Sequence, residues 1–376
     1  MEFKMESKKI TNIEVKKKNR NEVFRYICKN GMVSNPDISY ALKLSLPTAT
    51  QITKELIERG LVEEKGEMGS TGGRRAKALA VHEKVGKAAG LDITKNHISM
   101  VLTGLEGKII KYERIFLPYA AGDGYYLDVC QKLECFLESC GCGKEGVLGI
   151  GISFPGIMDL EEKVVADSHV LGVRDLPFSA VSRFFPFPCH FINDANAGAY
   201  AEGRQTESMG RFFYLSLSNT VGGAVYDNGR LEQGHNFRCG EVGHMTVVPD
   251  GEACYCGKKG CLDAYCSAKC LTEGRVEDFF GRLAQGEPEE ASLWDQYTTY
   301  LAIAVNNIHM VLDCDVVLGG YVGSSMGAFI QDIQDKVSER NTFAEDASFI
   351  RACRHKTGAA ALGASLQVIE MFMEQV

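Results

Sequence analysis

The sequence predicts an α/β protein with a winged helix-turn-helix at its start and a larger, two-lobed region after it. Three observations support this class. The first 90 residues hold 18 Lys and Arg against 11 Asp and Glu, a net charge of +7, whereas the remainder carries −15. The basic part shows three short helical patterns, then a strand, a Gly-rich turn and a strand. The acidic part repeats one strand pattern and alternates strands with helices.

Length and composition set the outer bounds of this prediction. The 376 residues are 45% apolar and 24% charged, which is ordinary for a globular protein of two or three domains. The first residues lack the apolar run of a signal peptide, and no stretch reaches the roughly 18 apolar residues of a membrane span. We therefore expect a cytoplasmic protein without membrane contact. Its 14 cysteines are then expected to be free core thiols or metal ligands.

The basic part is predicted to begin with a mobile arm, residues 1–18, that shows no apolar periodicity. Apolar residues at helical spacing predict a first helix over 19–29. The stretch SNPD at 34–37 is a capping-box pattern with proline in the first turn, and it predicts the start of a second helix. Ser45 is the expected cap of a third helix, which Gly60 ends.

The outward side of the third helix is polar near its N-terminus, as the recognition helix of a helix-turn-helix requires. We assign Thr48 and Gln51 to base edges and Lys54 to a phosphate. Thr50 lies on the flank of the same side and completes the DNA-contacting set on this helix.

The stretch after Gly60 predicts the wing, which completes a DNA-binding domain over 19–83. Arg74 and Arg75 fall at its tip, where guanidinium groups can enter the negative potential of a minor groove. A helical bundle whose basic hairpin packs on its neighbour is the alternative. Three helices, a wing and a basic charge together favour operator DNA as the partner.

The acidic part contains a duplicated lobe. Strand, loop, strand, tight turn and strand follow one another from Ala88, and the same order returns over 212–234. Each copy is followed by a buried strand that ends in glycines, at 147–156 and at 314–323. The doubling predicts two lobes around a cleft.

Four stretches of this region resemble the ROK family (repressor, open reading frame, kinase). In chain order they read GISFPGIMD, NDANAGAYAE, EVGHMTVVPDGEACYCGKKGCLD and VVLGGYVG. The third motif is highly specific, whereas LGG alone is weak. The resemblance covers about residues 85–376, and the winged helix matches the family's transcriptional repressor branch, that of the xylose and N-acetylglucosamine repressors.

The resemblance implies a two-lobed, actin-like fold of the sugar kinase and Hsp70 type. Lobe 1 is then expected at 85–195 and lobe 2, with the cysteine-rich loop, at 196–354. A C-terminal helix within 355–376 is expected to return to lobe 1.

The cysteine-rich loop is a candidate metal centre. Cys254, Cys256 and Cys261 lie within reach of one ion, and His244 can return across a loop as the fourth ligand. Three thiolates and one imidazole form the closed tetrahedral set of structural zinc. A disulfide would leave one cysteine odd, and Cys-x-Cys neighbours pair poorly. Free thiols are the other alternative, but the spacing and the resemblance agree on zinc as the cofactor.

The resemblance also implies a sugar site. Asn193, Asp194, Glu241, His244 and Asp263 match the positions that contact sugar in the family. In family kinases the residue matching Asp194 is the general base, and a helix cap is its alternative role. The family usually has Glu where this chain has Asp263, so the sugar selectivity is expected to differ.

The phosphate-binding loops depart from the kinase pattern. Family kinases carry D-x-G-G-T, whereas this chain has Thr94 and Lys95 after Asp92. The second loop reads SNT at 218–220, and Tyr321 replaces a glycine of the last motif. Backbone N–H groups approach phosphates closely where glycine leaves room. Efficient ATP binding is therefore not expected, and we expect no enzyme.

These observations favour a regulator of carbohydrate-utilisation genes, such as those of xylose metabolism, that represses transcription and responds to a sugar or sugar phosphate. A homodimer, or a tetramer, is expected because one helix-turn-helix reads a half-site. Two alternatives stay open. One is an ATP-dependent sugar kinase that keeps Asp194 as its base and has gained a DNA-binding head. The other is a regulator with a vestigial cleft that a protein partner controls.

Overall fold

The computed structural model describes residues 12–68, 76–205, 210–343 and 346–376. The helices in these ranges are α1 (Asn12–Asn30), α2 (Asn35–Ala41), α3 (Leu46–Glu58), α4 (Asp123–Ser139), α5 (Phe178–Ser182), α6 (Asp194–Gln205), α7 (Asp263–Cys266), α8 (Val276–Ala284), α9 (Pro288–Leu312), α10 (Gly320–Ser325), α11 (Ile330–Ser338) and α12 (Ala359–Gln375). The strands are β1 (Val62–Glu67), β2 (Lys77–Val81), β3 (Lys87–Ile93), β4 (His97–Thr103), β5 (Ile109–Phe116), β6 (Val147–Phe154), β7 (Ile157–Asp159), β8 (Val164–Ser168), β9 (Val173–Pro177), β10 (Cys189–Asn193), β11 (Arg211–Leu217), β12 (Val221–Asp227), β13 (Arg230–Glu232), β14 (Asp315–Gly319) and β15 (Ile350–Ala352).

Helices α1 to α3 and the antiparallel pair β1–β2 form the winged helix, here called the head. The predicted capping box is present, because the Ser34 backbone N–H donates to Asp37 Oδ2 at 2.8 Å and the Asp37 N–H donates to Ser34 Oγ. The Ser45 cap of α3 is also present, since the Thr48 N–H donates to Ser45 Oγ at 3.2 Å. These local patterns fix where α2 and α3 begin.

Helix α1 begins at Asn12, inside the segment predicted as a mobile arm. Lys16 forms an ion pair with Glu55 of α3 at 3.7 Å, and Lys18 pairs with Glu22 one turn on at 3.8 Å. A helix whose later turns are packed extends at little cost through Lys-rich residues, which have good helix propensity. Absence of apolar periodicity was therefore a poor guide to the start of this helix. Residues 1–11 lie outside the described ranges.

Two five-stranded sheets of matching topology confirm the predicted duplication. Lobe 1 is built on the strand order β10-β6-β3-β4-β5 and lobe 2 on β13-β12-β11-β14-β15. Each sheet consists of an antiparallel three-stranded meander to which two further strands are added in parallel. Strands in the middle of such sheets are covered on both faces, which explains their continuous apolar runs. A small antiparallel sheet, β7-β8-β9, extends lobe 1 beside the cleft.

Helices α6 and α12 pack against each other between the two sheets. Helix α12 lies on β3 and β6, and α6 lies on β11 and β12. A Cβ atom on Gly151 of β6 would overlap the carbonyl group of Ala364, and one on Gly363 would overlap that of Ala197. Glycine at these positions therefore allows α12 to lie against both the sheet and α6 at backbone distance. The predicted lobe boundary at 195/196 falls inside α6, which joins the two lobes rather than separating them.

The far end of α12 packs against the head. Phe24 of α1 and Phe372 of α12 meet edge to face with ring centroids 6.2 Å apart. Arg25 donates to both carboxylate oxygens of Glu370, at 2.8 and 2.5 Å, and Arg204 of α6 lies 3.3 Å from the same carboxylate. Buried residues of α1, α3 and α12 belong to one continuous apolar core. The head is thus attached to lobe 1 by an apolar contact and a bidentate ion pair.

Candidate functional site

The recognition face of α3 is open. Gln51, Lys54 and Thr50 are exposed, while Ala49, Ile52, Thr53 and Leu56 are buried on the other side. Lys54 lies 3.8 Å from Glu58 in an exposed ion pair that a phosphate can displace. Thr48 is half-buried and its hydroxyl lies 2.7 Å from Ser45 Oγ, so this residue also serves the cap. Arg74 and Arg75 lie outside the described residues.

Four of the five predicted sugar-contacting residues line one cleft between the lobes. Asn193, Asp194, Glu241 and His244 are joined there by residues of both lobes, among them His169 and Tyr255. Asp263 is not among the residues found lining this cleft. It is 5% exposed, and its Oδ2 accepts a hydrogen bond from the Val221 N–H at 2.6 Å. Its shorter side chain thus holds the start of β12.

The start of α6 explains the pairing of Asn193 with Asp194. Asn193 Oδ1 accepts from the Asn196 N–H at 3.0 Å, so Asn193 performs the capping role that the sequence had left open for Asp194. Asp194 Oδ1 accepts from the Ala195 N–H at 3.0 Å and from Asn193 Nδ2 at 3.1 Å. Burial raises the pKa of Asp194 to about 6, against the effect of the Ala195 hydrogen bond, and the nearby Glu241 adds to the rise.

Glu241 faces Asp194 across the cleft from lobe 2. Burial raises its pKa above the usual range, and Arg238 opposes the rise. Two carboxyl groups, an amide and an imidazole converge here from separate elements, a donor and acceptor set suited to several hydroxyl groups of one ligand.

The cleft continues toward the loops at 92–95 and 218–220. Asp92, Lys95, Arg114 and Tyr321 line this second part, together with Asp194 and the first residues of α12. Burial raises the pKa of Asp92 to about 7, while a hydrogen bond from Ser153 Oγ at 2.8 Å opposes the rise. The guanidinium of Arg114 in lobe 1 lies over the Tyr321 ring of lobe 2, 5.4 Å from its centroid. This contact brings the two lobes together at this part of the cleft.

The cysteine-rich loop forms a candidate metal centre. The ligand atoms of His244, Cys254, Cys256 and Cys261 lie within 4.8 Å of one another. Cys256 Sγ and Cys261 Sγ are 3.7 Å apart, and Cys254 Sγ is 3.8 Å from His244 Nδ1. A tetrahedral zinc ion with Zn–S bonds of about 2.3 Å separates its ligand atoms by about 3.8 Å. The four side chains therefore fit one tetrahedral ion, and these cysteines form no disulfide.

The backbone prearranges this loop. The Cys254 N–H donates to the Lys258 carbonyl at 2.8 Å, and the Gly257 N–H donates to the Cys254 carbonyl at 3.0 Å. Gly260 has φ +77°, and a Cβ atom there would overlap the Val248 carbonyl. The turn that brings Cys261 back to Cys256 therefore requires glycine.

Three residues of the cleft were not identified as site residues from the sequence. Tyr255 could have been found, because it stands between two candidate metal ligands and shares their loop. His169 and Arg114 carried no signal, since each reaches the cleft from an unremarkable strand or loop and meets its partner across the two lobes.

Together the fold and the cleft define a two-lobed, actin-like domain of the sugar kinase type joined to a winged helix. The chain belongs to the ROK family, whose model matches residues 88–371. A model described as winged helix-turn-helix DNA-binding matches residues 17–63. The prediction of both the family and the fold class is confirmed.

Similar proteins include named repressors. The xylose repressor of Bacillus spizizenii is 28% identical, with 96% of this chain and 97% of that protein covered. The DNA-binding transcriptional dual regulator NagC of Escherichia coli is 28% identical over 84% of this chain and 77% of its own length. The crystal structure of a ROK family transcriptional regulator, a homologue of the E. coli MLC protein, has a TM-score of 0.76 at 20% identity, with 96% of this chain and 100% of that chain covered.

Among the described residues, no helix is both long and apolar enough to cross a membrane.

Proposed function

We propose that this protein is a DNA-binding transcriptional repressor of carbohydrate-utilisation genes, controlled by a sugar or sugar phosphate in the cleft. One observation carries the proposal: α12 lines the cleft with its first residues and holds the head with its last ones. A ligand that moves the start of α12 can therefore change the position of α3. Relatives named as xylose and N-acetylglucosamine repressors support this assignment.

The head is the proposed operator-binding unit. The proposed contacts to base edges are the exposed Gln51 and Thr50, with the half-buried Thr48 beside them. The exposed Lys54 is the proposed phosphate contact. Arg74 and Arg75, which stand between β1 and β2 in the sequence, remain the proposed minor-groove contacts. One head reads a half-site, so we propose a homodimer as the binding unit, with a tetramer as its larger form.

The proposed sugar contacts are Asn193, Asp194, Glu241 and His244, which share one cleft. Asp263 takes an indirect part by holding the start of β12 at the Val221 N–H. The proposed structural zinc, bound by His244 and the three loop cysteines, would fix His244 beside Glu241. The proposed role of the metal is therefore structural: it holds His244 in place in the sugar site and takes part in no reaction.

Regulation is favoured over phosphorylation by the second part of the cleft. Tyr321 and Arg114 fill space there from opposite lobes. A phosphate chain must approach the backbone closely at this position. The side chains of Thr94 and Lys95 occupy the room that glycine would leave for it. Asp194 lines the cleft and retains the carboxyl group that a general base needs, so kinase activity is the competing function that an experiment must exclude.

The deciding experiment is fluorescence anisotropy of the purified protein on DNA from its own upstream region at fixed salt. D-xylose, D-glucose, N-acetylglucosamine and their phosphates are titrated in turn. We expect specific binding that one of these compounds weakens at least tenfold. Asp194→Asn is expected to lose this response while binding DNA like the wild type, and the exposed control Glu138→Gln is expected to keep it.

Two outcomes would contradict the proposal. Specific DNA binding that no compound alters would transfer control to a protein partner. ATP-dependent phosphorylation of a panel sugar, abolished by Asp194→Asn and unaccompanied by specific DNA binding, would make the protein a kinase.

A further inference from the structure

Tyr255 joins the two lobes across the outer part of the sugar cleft. Its ring stacks on the imidazole of His169, with centroids 4.2 Å apart and planes 15° from parallel. Tyr255 belongs to the cysteine-rich loop of lobe 2, whereas His169 follows β8 in lobe 1. Both residues line the cleft with Asn193 and Glu241. The stack therefore bridges the two lobes at the cleft that these polar groups line.

The same tyrosine also engages a proposed sugar ligand. Its hydroxyl lies 3.4 Å from His244 Nε2, while His244 Nδ1 faces Cys254 Sγ. When Nδ1 binds a metal ion, the proton is on Nε2, and this N–H is a hydrogen-bond donor. A metal-binding histidine uses that second N–H on a neighbouring acceptor, which holds the ring in place. In this structure the acceptor is Tyr255, so a sugar hydroxyl must compete with Tyr255 for His244.

The main chain at Tyr255 is held by hydrogen bonds of the loop, whereas its side chain is held by the contacts with His169 and His244. Hydrogen bonds from Cys254 to Lys258 and from Gly257 to Cys254 hold the turn, and the neighbouring cysteines are the proposed metal ligands. The Tyr255 side chain is nevertheless 39% exposed. It can therefore leave His169 by rotating about its own bonds while the loop stays in place.

We infer that Tyr255 and His169 form a latch that holds the two lobes together. The effector sugar opens this latch by replacing the Tyr255 hydroxyl at His244. This inference rests on the proposed sugar site and deepens it. Tyr255 then has two roles. It sets the apparent affinity for the sugar, because only the unlatched fraction binds, and it transmits binding in lobe 2 to the His169 loop of lobe 1.

The first test needs no sugar. Hydrogen–deuterium exchange of residues 168–173 is compared in the full-length, zinc-loaded wild type and in Tyr255→Ala, His169→Ala, Tyr255→Phe and Lys258→Ala. Loss of the stack is expected to speed exchange in this loop several-fold in the two alanine variants of the latch. Tyr255→Phe keeps the ring and Lys258→Ala changes an exposed neighbour, so both are expected to resemble the wild type.

Zinc content, measured on each variant, separates the latch from damage to the loop. Faster exchange in Tyr255→Ala at unchanged zinc content supports the latch. Wild-type exchange in Tyr255→Ala and His169→Ala overturns it. If Tyr255→Ala loses zinc, the test rests on the exchange measured in His169→Ala alone, because His169 lies in lobe 1 and not in the metal-binding loop.

The second test uses D-xylose and N-acetylglucosamine in calorimetric titrations. Tyr255→Phe removes the competing hydroxyl, so the sugar that binds the wild type is expected to bind this variant about two- to tenfold more tightly, the equivalent of one hydrogen bond. An unchanged or weaker affinity overturns the proposed competition. Failure of both sugars to bind the wild type counts against the proposed effectors, and the exchange experiment still decides whether the latch exists.

Discussion

Asp92 is the residue whose charge depends most clearly on its position in the cleft. Burial raises the pKa of its carboxyl to about 7, whereas an aspartate in an unfolded chain has a pKa of about 3.9. Between these pH values the folded protein keeps a proton that the unfolded chain has lost. The free energy of unfolding therefore falls as the pH rises from about 4 to about 7, and the loss is complete above that range.

Asp92→Asn is expected to remove this pH dependence. The amide cannot ionise, and its oxygen still accepts the hydrogen bond from Ser153. We expect the variant to be more stable than the wild type at pH 8 by about 1–2 kcal/mol, a few degrees in Tm, with little difference at pH 4.5. Thermal unfolding measured between pH 4.5 and 8 checks this expectation. Asp128→Asn on the exposed face of α4 is the control. If the stability of Asp92→Asn changes with pH in the same way as that of the control, the prediction is wrong.

The role of a single residue could be predicted from the sequence where that residue contacts its near neighbours along the chain. The Ser34–Asp37 box and the Ser45 cap were predicted because the partners lie three residues apart. The role of Asp263 was not, since its partner Val221 is 42 residues away and no local pattern links them. The same reason hid the stack of Tyr255 on His169.

At the scale of single elements, the cysteine-rich loop is expected to depend on its metal. Cys256→Ser removes one thiolate from the proposed tetrahedral set, so the variant should lose most of its zinc and unfold at a lower temperature. Zinc content by atomic emission and Tm by calorimetry test both points. Cys135→Ser, a change at an exposed cysteine of α4, is the control and is expected to keep one zinc ion per chain. Full zinc content in Cys256→Ser would remove this cysteine from the ligand set.

Helix α12 depends on glycine in the strand beneath it. In Gly151→Ala the new methyl group meets the Ala364 carbonyl, and α12 has to move away from β6. We expect a destabilisation of about 1–3 kcal/mol in urea unfolding, together with loosened attachment of the head. Gly124→Ala is the matched control because its Cβ has open space, in the first turn of α4, and it is expected to be neutral or slightly stabilising. Equal effects of the two changes would contradict the close approach.

The elements themselves were largely predictable, and their contacts were not. Strands in the meanders were visible as repeated apolar runs bounded by turns, so the duplicated lobe could be recognised before its fold. The start of α1 at Asn12 was missed because its first turns extend a packed helix through lysines of good helix propensity and carry no apolar stripe. The boundary inside α6 was missed because a helix that packs on both lobes has no distinctive sequence pattern.

For the whole molecule, α12 is the physical connection between the cleft and the DNA-binding head. The helix spans about 25 Å at 1.5 Å per residue, with Ala359 at the cleft and Glu370 and Phe372 at the head. Helix α12 contacts the two sites at opposite ends, and coupling between them requires the helix to take a different position when ligand is bound. The latch at Tyr255 would control the lobe geometry that α12 transmits.

Glu370→Gln is expected to separate sugar binding from DNA release. The amide cannot hold Arg25 in a bidentate ion pair, and it also loses the charge that attracts Arg204. These side chains are about one-third exposed or less, so their loss should loosen the head while the distant cleft keeps its residues. Calorimetry is therefore expected to give the wild-type sugar affinity. In the anisotropy assay, the sugar should shift the DNA affinity at least threefold less than in the wild type.

Glu374→Gln provides the matched control for this change. It removes a carboxylate from the same helix, one turn further on, at an exposed position. A wild-type sugar response in Glu374→Gln together with a reduced response in Glu370→Gln would assign the coupling to the ion pair with Arg25. If both variants respond like the wild type, the Arg25–Glu370 ion pair does not carry the coupling. Phe372→Ala, which removes the apolar contact with Phe24, is then the next change to test for uncoupling.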